Sequence, residues 1–199
     1  MDKLTERVEN AVQKAKKVIS DLWLFTRDYR IEPKPLDIKK VIEDALSSGD
    51  LTLQGIEIIK DYNQVLPQVM GNSDRLADGF SNIIKNACES MPKGGTLKIE
   101  AKKTFDKEKK EFVEIKFIDG GCGIPEEKLD RAFDPFFSTK DMSAGLGLSI
   151  TRGIIELHSG TITLESRCAK PLPTATAQEE PPEPTGTTVT VRLPVRESV

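Results

Sequence analysis

Periodicity puts this chain in the α+β class, as a two-layer α/β sandwich with a coiled-coil or bundle helix at its N-terminus. Helical and period-two segments alternate over roughly residues 36–166, the pattern of helices laid on a sheet. An unbroken heptad seam runs ahead of them, and Gly- and Pro-rich turns stand at the joints.

The composition supports a packed core: 199 residues, 37% hydrophobic and 31% charged, which suits one domain plus a small appendage. It also closes off several classes. No apolar run approaches the ~18 residues of a membrane span, and the charged start Met1–Arg7 has no signal-peptide core behind it. Any membrane contact is therefore expected outside this chain. A net charge of −3 argues against a nucleic-acid binder, which carries a basic surplus. Cys88, Cys122 and Cys168 lie far apart with no Cys-x-x-Cys pair, so neither a disulfide framework nor a zinc site is expected, and a cytoplasmic setting fits. The single histidine, His158, rules out a multi-histidine metal centre.

Along the chain, Leu4, Val8, Ala11, Ala15, Val18, Leu22, Phe25 and Tyr29 are spaced alternately four and three apart, an a/d seam. Val12, Ile19 and Thr26 widen the stripe, which suits a four-helix bundle or helical-hairpin dimer. A helix folding back on its own domain is the other reading. Residues 1–30 are taken as a dimerisation helix, and 31–37, with Pro33 and Pro35, as a stiff linker. The remainder, 38–199, is one domain.

Within that domain, Asp37 is placed to cap a helix through Ile38, Val41, Ile42, Ala45 and Leu46. Residues 56–62 alternate as a strand. Asn72 or Ser73 starts a helix whose apolar face is Leu76, Phe80, Ile83, Ile84, Ala87 and Met91. After Pro92–Gly95, residues 96–103 and 112–118 form a hairpin with a solvated, lysine-rich tip. A helix over 146–158, a strand over 161–166 and a last strand over 187–193 complete the sheet. Residues 169–185 hold five prolines and three acids among small residues and are expected to be a mobile insert.

Four segments carry chemistry. Asp119-Gly120-Gly121-Cys122-Gly123-Ile124 follows a strand; its glycines permit close backbone approach to a flat ligand, and its carboxylate can accept from an exocyclic amine. Taken alone, the run equally fits a tight turn. Asn82 and Asn86 stand four apart on the polar side of their helix, and an amide oxygen is a hard ligand suited to Mg²⁺ that already carries phosphate oxygens; a merely solvated face is the alternative. Gly145-Leu146-Gly147-Leu148 opens a helix, where amides and dipole favour phosphate. It matches neither a Rossmann nor a Walker motif. Phe133-Asp134-Pro135-Phe136-Phe137-Ser138-Thr139-Lys140 reads as a lid, with Lys140 able to reach a phosphate, or as a buried hydrophobic loop.

In this order the four segments resemble the asparagine, first glycine, phenylalanine and second glycine boxes of the ATP-binding catalytic domain of sensor histidine kinases. That family shares a superfamily with gyrase, heat-shock chaperone ATPases and mismatch-repair ATPases. The match covers about residues 36–199, and helix 4–29 is similar to the second helix of the kinases' dimerisation and phosphoacceptor hairpin. The resemblance implies a Bergerat-type fold, a mixed sheet covered by helices on one face. It implies ATP and Mg²⁺ as cofactors, with Asp119 and Thr187 reading the adenine amino group. Asn86 would ligate Mg²⁺ with Asn82 assisting. Gly121, Gly123 and Ile124 would lie along the base, with Phe137 in the lid. Gly145, Leu146, Gly147, Leu148 and Lys140 would approach the phosphates. Asn82, Asn86 and Lys140 are the catalytic candidates.

The resemblance further implies transfer of the γ-phosphoryl group to a histidine, relay to a response-regulator receiver domain, and a homodimer through helix 4–29. The acceptor histidine is expected upstream of residue 4, so the chain reads as a catalytic fragment that cannot phosphorylate itself. His158 matches a helix-end position where histidine caps or packs. In hydrolysing members of the superfamily an acid stands four residues before the metal-binding Asn; here Asn82 does, which favours transfer over hydrolysis. Ser143-Ala144 replace the Gly and Thr or Ser usual before the second glycine box, and the Pro-rich insert is longer than usual. Two other functions fit the same residues: an ATP-gated clamp, or a non-catalytic dimerising module with nucleotide in a structural role.

Overall fold

A computed structural model of the chain describes residues 33–49, 51, 53–62, 65–138, 140, 144–168 and 185–195. The heptad segment 4–29 with its dimer role, Thr139, Ser143 and all but the last residue of the insert lie outside these.

The order is β1 (Lys34–Leu36), α1 (Ile38–Leu46), β2 (Ile56–Tyr62), β3 (Val69–Gly71), α2 (Ser73–Ser90), β4 (Gly95–Phe105), β5 (Glu111–Asp119), α3 (Glu126–Leu129), α4 (Gly147–Leu157), β6 (Thr161–Arg167) and β7 (Gly186–Pro194). Five strands form a sheet in the order β2-β4-β5-β7-β6. β2 and β4 are parallel and the other pairs antiparallel, so the sheet is mixed. The parallel pair follows from its connection, because α2 intervenes between the two strands.

Alternation decides which face is covered. Leu97, Ile99 and Ala101 of β4, Val113, Ile115 and Phe117 of β5, and Val189, Val191 and Leu193 of β7 are buried. They meet Leu76, Phe80, Ile83 and Ile84 of α2, Ile38 and Ile42 of α1, and Ile150, Ile154 and Ile155 of α4 in one core. The Phe80 and Phe117 rings lie 5.4 Å apart and tilted, a favourable aromatic geometry that fixes α2 over β5. On the opposite face the intervening positions pair as ions, with Lys98 to Glu100 and Asp61, and Glu114 between Lys102 and Arg192.

The helices begin where capping chemistry puts them. Asp37 accepts from the Lys39 N–H and Asn72 from the Arg75 N–H, each satisfying an otherwise orphan donor. At the hairpin tip, Asp106 Oδ1 accepts from the Glu108 and Lys110 N–H groups.

Three short elements depart from the sequence reading. Lys34–Leu36, taken as the end of a stiff linker, is β1, paired antiparallel with β3 from Lys34↔Gly71 to Leu36↔Val69. Pro35 favours the extended backbone that a strand also needs, so the local conformation agrees and the pairing is what periodicity misses. The short helix α3 lies ahead of the phenylalanine-rich segment, which itself runs through turns.

Candidate functional site

Asn72 starts α2 and the apolar stripe fixes its rotation, so Asn86, one turn before the helix end, faces a cleft under the β5 and β7 ends. The cleft encloses about 130 Å³. Asn86 lines it together with Asp119, Gly123, Ile124, Phe137, Lys140, Gly145, Gly147, Leu148 and Thr187. Ten of the thirteen positions singled out in the sequence therefore converge. The other three sit beside it: Asn82 faces Gly147, where an added Cβ would lie 3.8 Å from the Asn82 amide. Gly121 packs behind Asp119, and Leu146 is buried in the core.

Asp119 ends β5 and is 8% exposed. Its Oδ1 accepts from the Gly121 N–H at 2.9 Å and from Ser90 Oγ at 3.0 Å, and the Thr187 N–H also supports the carboxylate. Burial pushes its carboxyl above the usual range, against those hydrogen bonds and the nearby Lys140 charge, which pull it down. An ionised carboxylate has about four acceptor directions, so one remains for a donor in the cleft.

The glycine turns serve the protein's own packing. A Cβ at Gly121 would strike Ser90 Oγ, and one at Gly123, with φ +72°, would strike the Arg167 carbonyl. At Gly145, with φ +68°, it would come within 2.6 Å of the Phe136–Phe137 backbone. Expected from the sequence to admit a ligand's close approach, these glycines admit the neighbouring chain just as closely.

The first turn of α4 borders the same cleft. Its N-cap, Leu146, offers no side-chain cap, so the first N–H groups lack that partner, and with the helix dipole they favour an anion. Lys140 Nζ reaches into this region and pairs with Glu89 at 2.7 Å. Of the three phenylalanines, Phe137 lines the cleft with the Arg131 guanidinium over its ring. Phe136 is 63% exposed at φ +65°.

Among the described residues no cluster of three or more His, Cys, Asp or Glu could hold a metal by itself. A divalent cation here would combine the Asn86 oxygen with oxygens brought by a ligand and water, a donor set that suits Mg²⁺.

Sequence reasoning missed Ser90, Cys122, Ala132, Ser138, Leu164 and Val189, which also line the cleft. Ser90 was detectable as the next polar position on the Asn82–Asn86 side of α2, Cys122 and Ser138 stand inside the glycine and phenylalanine segments, and Ala132, Leu164 and Val189 show nothing that sets them apart from core residues.

A family profile described as histidine kinase-, DNA gyrase B-, and HSP90-like ATPase matches residues 71–197. Sporulation kinase A of Bacillus subtilis (strain 168) is 36% identical over 156 residues, which are 77% of this chain and 25% of that kinase. The chain thus spans about a quarter of that relative's length. The solved mycobacterial sensor histidine kinase MprB superposes with a TM-score of 0.66 at 26% identity, covering 83% of this chain and 99% of that one. Histidine kinase ThkA, solved in complex with response regulator protein TrrA, shares the fold with a TM-score of 0.73 at 21% identity, over 98% of this chain and 51% of that one.

Proposed function

The chain belongs to the histidine kinase-, DNA gyrase B-, and HSP90-like ATPase family, and from that membership we propose that it is the ATP- and Mg²⁺-binding catalytic core of a sensor histidine kinase. One observation carries the reading: a single cleft holds a buried acceptor pair, Asp119 and Thr187, and the uncapped N-terminus of α4. The first suits a base with an amino group and the second suits phosphate.

In this reading Asp119 accepts from the adenine amino group, and Thr187 stands beside it. The Gly147 and Leu148 end of α4 receives phosphate oxygens, and Lys140 exchanges Glu89 for them. Asn86 holds Mg²⁺, which supplies charge neutralisation for the phosphates. Asn82, packed against Gly147, keeps that turn in place.

Phosphoryl transfer asks chiefly for positioning and charge neutralisation. The bond from the γ-phosphorus to the β-bridging oxygen breaks, ADP leaves, and a phosphorus–nitrogen bond forms on an imidazole. Water as nucleophile would need a base. Asn82, four residues before Asn86, is an amide that takes no proton, so transfer is favoured over hydrolysis.

His158 is the single histidine of the 199 residues and is 6% exposed with both ring nitrogens hydrogen-bonded. The acceptor is therefore a histidine from outside this sequence, on a dimerisation hairpin. A response-regulator aspartate would follow in the relay, and residues 4–29 are the proposed dimer contact.

The test is to mix the 199-residue chain, Mg²⁺ and γ-labelled ATP with a separately prepared histidine-bearing dimerisation hairpin of a sensor histidine kinase. Acid-labile, alkali-stable label on the hairpin, abolished by Asn86→Asp in the chain, is expected. Nucleotide binding without labelling, unchanged by Asn86→Asp, would instead favour an ATP-gated interaction module.

A further inference from the structure

Ser166, next to last in β6, places one hydroxyl among three partners. Its Oγ lies 2.8 Å from the Ile124 N–H, 2.9 Å from the Gly186 carbonyl oxygen and 2.9 Å from Thr187 Oγ1. Only one proton arrangement satisfies all three. The Ile124 amide can only donate and the Gly186 carbonyl can only accept, and a serine hydroxyl has one proton and two lone pairs. The Ser166 proton therefore goes to Gly186, and Thr187 must donate its own proton to Ser166. Thr187 Oγ1 is left with lone pairs alone to present to the cleft.

Thr187 faces Asp119 directly in the β5–β7 register, and the strands are pressed together there, since a Cβ at Gly186 would strike the Asp119 carbonyl. Both side chains line the cleft. The cleft thus offers two adjacent acceptors, one a carboxylate and one a hydroxyl whose proton is turned away.

We propose that Ser166 is a positioning residue that fixes the Thr187 hydroxyl as an acceptor and so makes the cleft select a 6-amino purine over a 6-oxo purine. This inference rests on the nucleotide reading of the cleft. An amino group brings N–H donors to both acceptors. An oxo group sets its own lone pairs against them, and a Thr187 hydroxyl free to rotate could relieve that opposition by donating. Ser166 removes that freedom, and by accepting from Ile124 it ties the glycine turn to the same oxygen.

The test compares dissociation constants of the 199-residue chain for ATP and inosine triphosphate, both with Mg²⁺, in the wild type, Ser166→Ala, Thr187→Val and the double variant. The wild type is expected to prefer ATP. Ser166→Ala is expected to lower that preference about tenfold, in keeping with one hydrogen bond, chiefly by improving binding of inosine triphosphate. Ser166→Thr should keep the preference. In the Thr187→Val background, Ser166→Ala should leave the ratio unchanged, because there is no hydroxyl left to orient. If Ser166→Ala does not fold, Ser166→Cys carries the same expectation, since a thiol fills the space but bonds weakly.

A wild type that binds neither nucleotide would overturn the nucleotide reading itself, and one that binds both equally would overturn the selection proposed here. A wild type that prefers ATP, with the ratio unmoved by Ser166→Ala or moved equally with and without Thr187, would overturn the role of Ser166 and leave the nucleotide reading standing.

Discussion

The Nε2 atom of His158 accepts the backbone N–H of Asn72 at 3.0 Å, which locks the C-terminal end of α4 to the N-cap of α2. Its Nδ1 donates to the Ile154 carbonyl at 2.7 Å, so the ring is the neutral Nδ1–H tautomer. Gly71 makes the approach possible, because a Cβ there would strike the ring. The helix that carries Asn86 and the helix whose first turn borders the cleft are thereby joined through this side chain.

Burial pushes the His158 pKa below the ordinary histidine value, and the hydrogen bond to Ile154 only partly opposes this. Stability from this ring is then complete above the unfolded value of about 6.5 and is lost as pH falls through the lower folded value. Thermal melts of the wild type should fall over that window, and His158→Gln should flatten the fall. His158→Ala should cost about 1–3 kcal/mol at neutral pH by orphaning the Asn72 amide.

For Asp119 the sign is reversed. A carboxyl raised by burial contributes stability that is present below its unfolded pKa of about 3.9 and is lost as pH rises through the higher folded value. Asp119→Asn should therefore melt above the wild type at pH 7, with the gap closing under acid conditions. The same change should weaken ATP binding about ten- to a hundredfold, the range of a hydrogen bond to a charged group. A lower melting temperature at pH 7 would mean that the carboxylate charge itself holds the β5–β7 ends.

The Lys140–Glu89 pair is 38% and 40% exposed, and such pairs hold by at most about 1 kcal/mol. Phosphate can thus compete for Lys140. Glu89→Gln is expected to tighten ATP binding by up to about fivefold, with the gain shrinking as salt is raised. Calorimetry at two ionic strengths checks this, and weaker binding would mean that the pair serves the bound state.

What the sequence made legible is what repeats at a fixed period or sits at a special backbone position. The stripe Leu76, Phe80, Ile83, Ile84 and Ala87 marks α2, and the alternation from Leu97 to Ala101 and from Val113 to Phe117 marks the central hairpin. Asp37 and Asn72 announce their helix starts by cap chemistry. β1 and β3 have three residues each, too few to show alternation, and their pairing is fixed by tertiary packing. The same limit applied at the site. Asn86, Asp119 and the Gly145 turn stand in local motifs, whereas Ser166 has no motif and acquires its role only when β6, β7 and the glycine turn meet. Asn82 shows the converse. Its i, i+4 spacing with Asn86 puts both on one helix side, but the α4 start occupies the space in front of it.

The most direct measurement is a calorimetric titration of the 199-residue chain with non-hydrolysable analogues of ATP and GTP in the presence of Mg²⁺. Saturable one-to-one binding of the adenine analogue is expected, with a clear preference over the guanine analogue, and in Asp119→Asn binding about ten- to a hundredfold weaker with the preference reduced. Absence of saturable binding at millimolar ligand, or equal binding of the two bases, would contradict an adenine-nucleotide site.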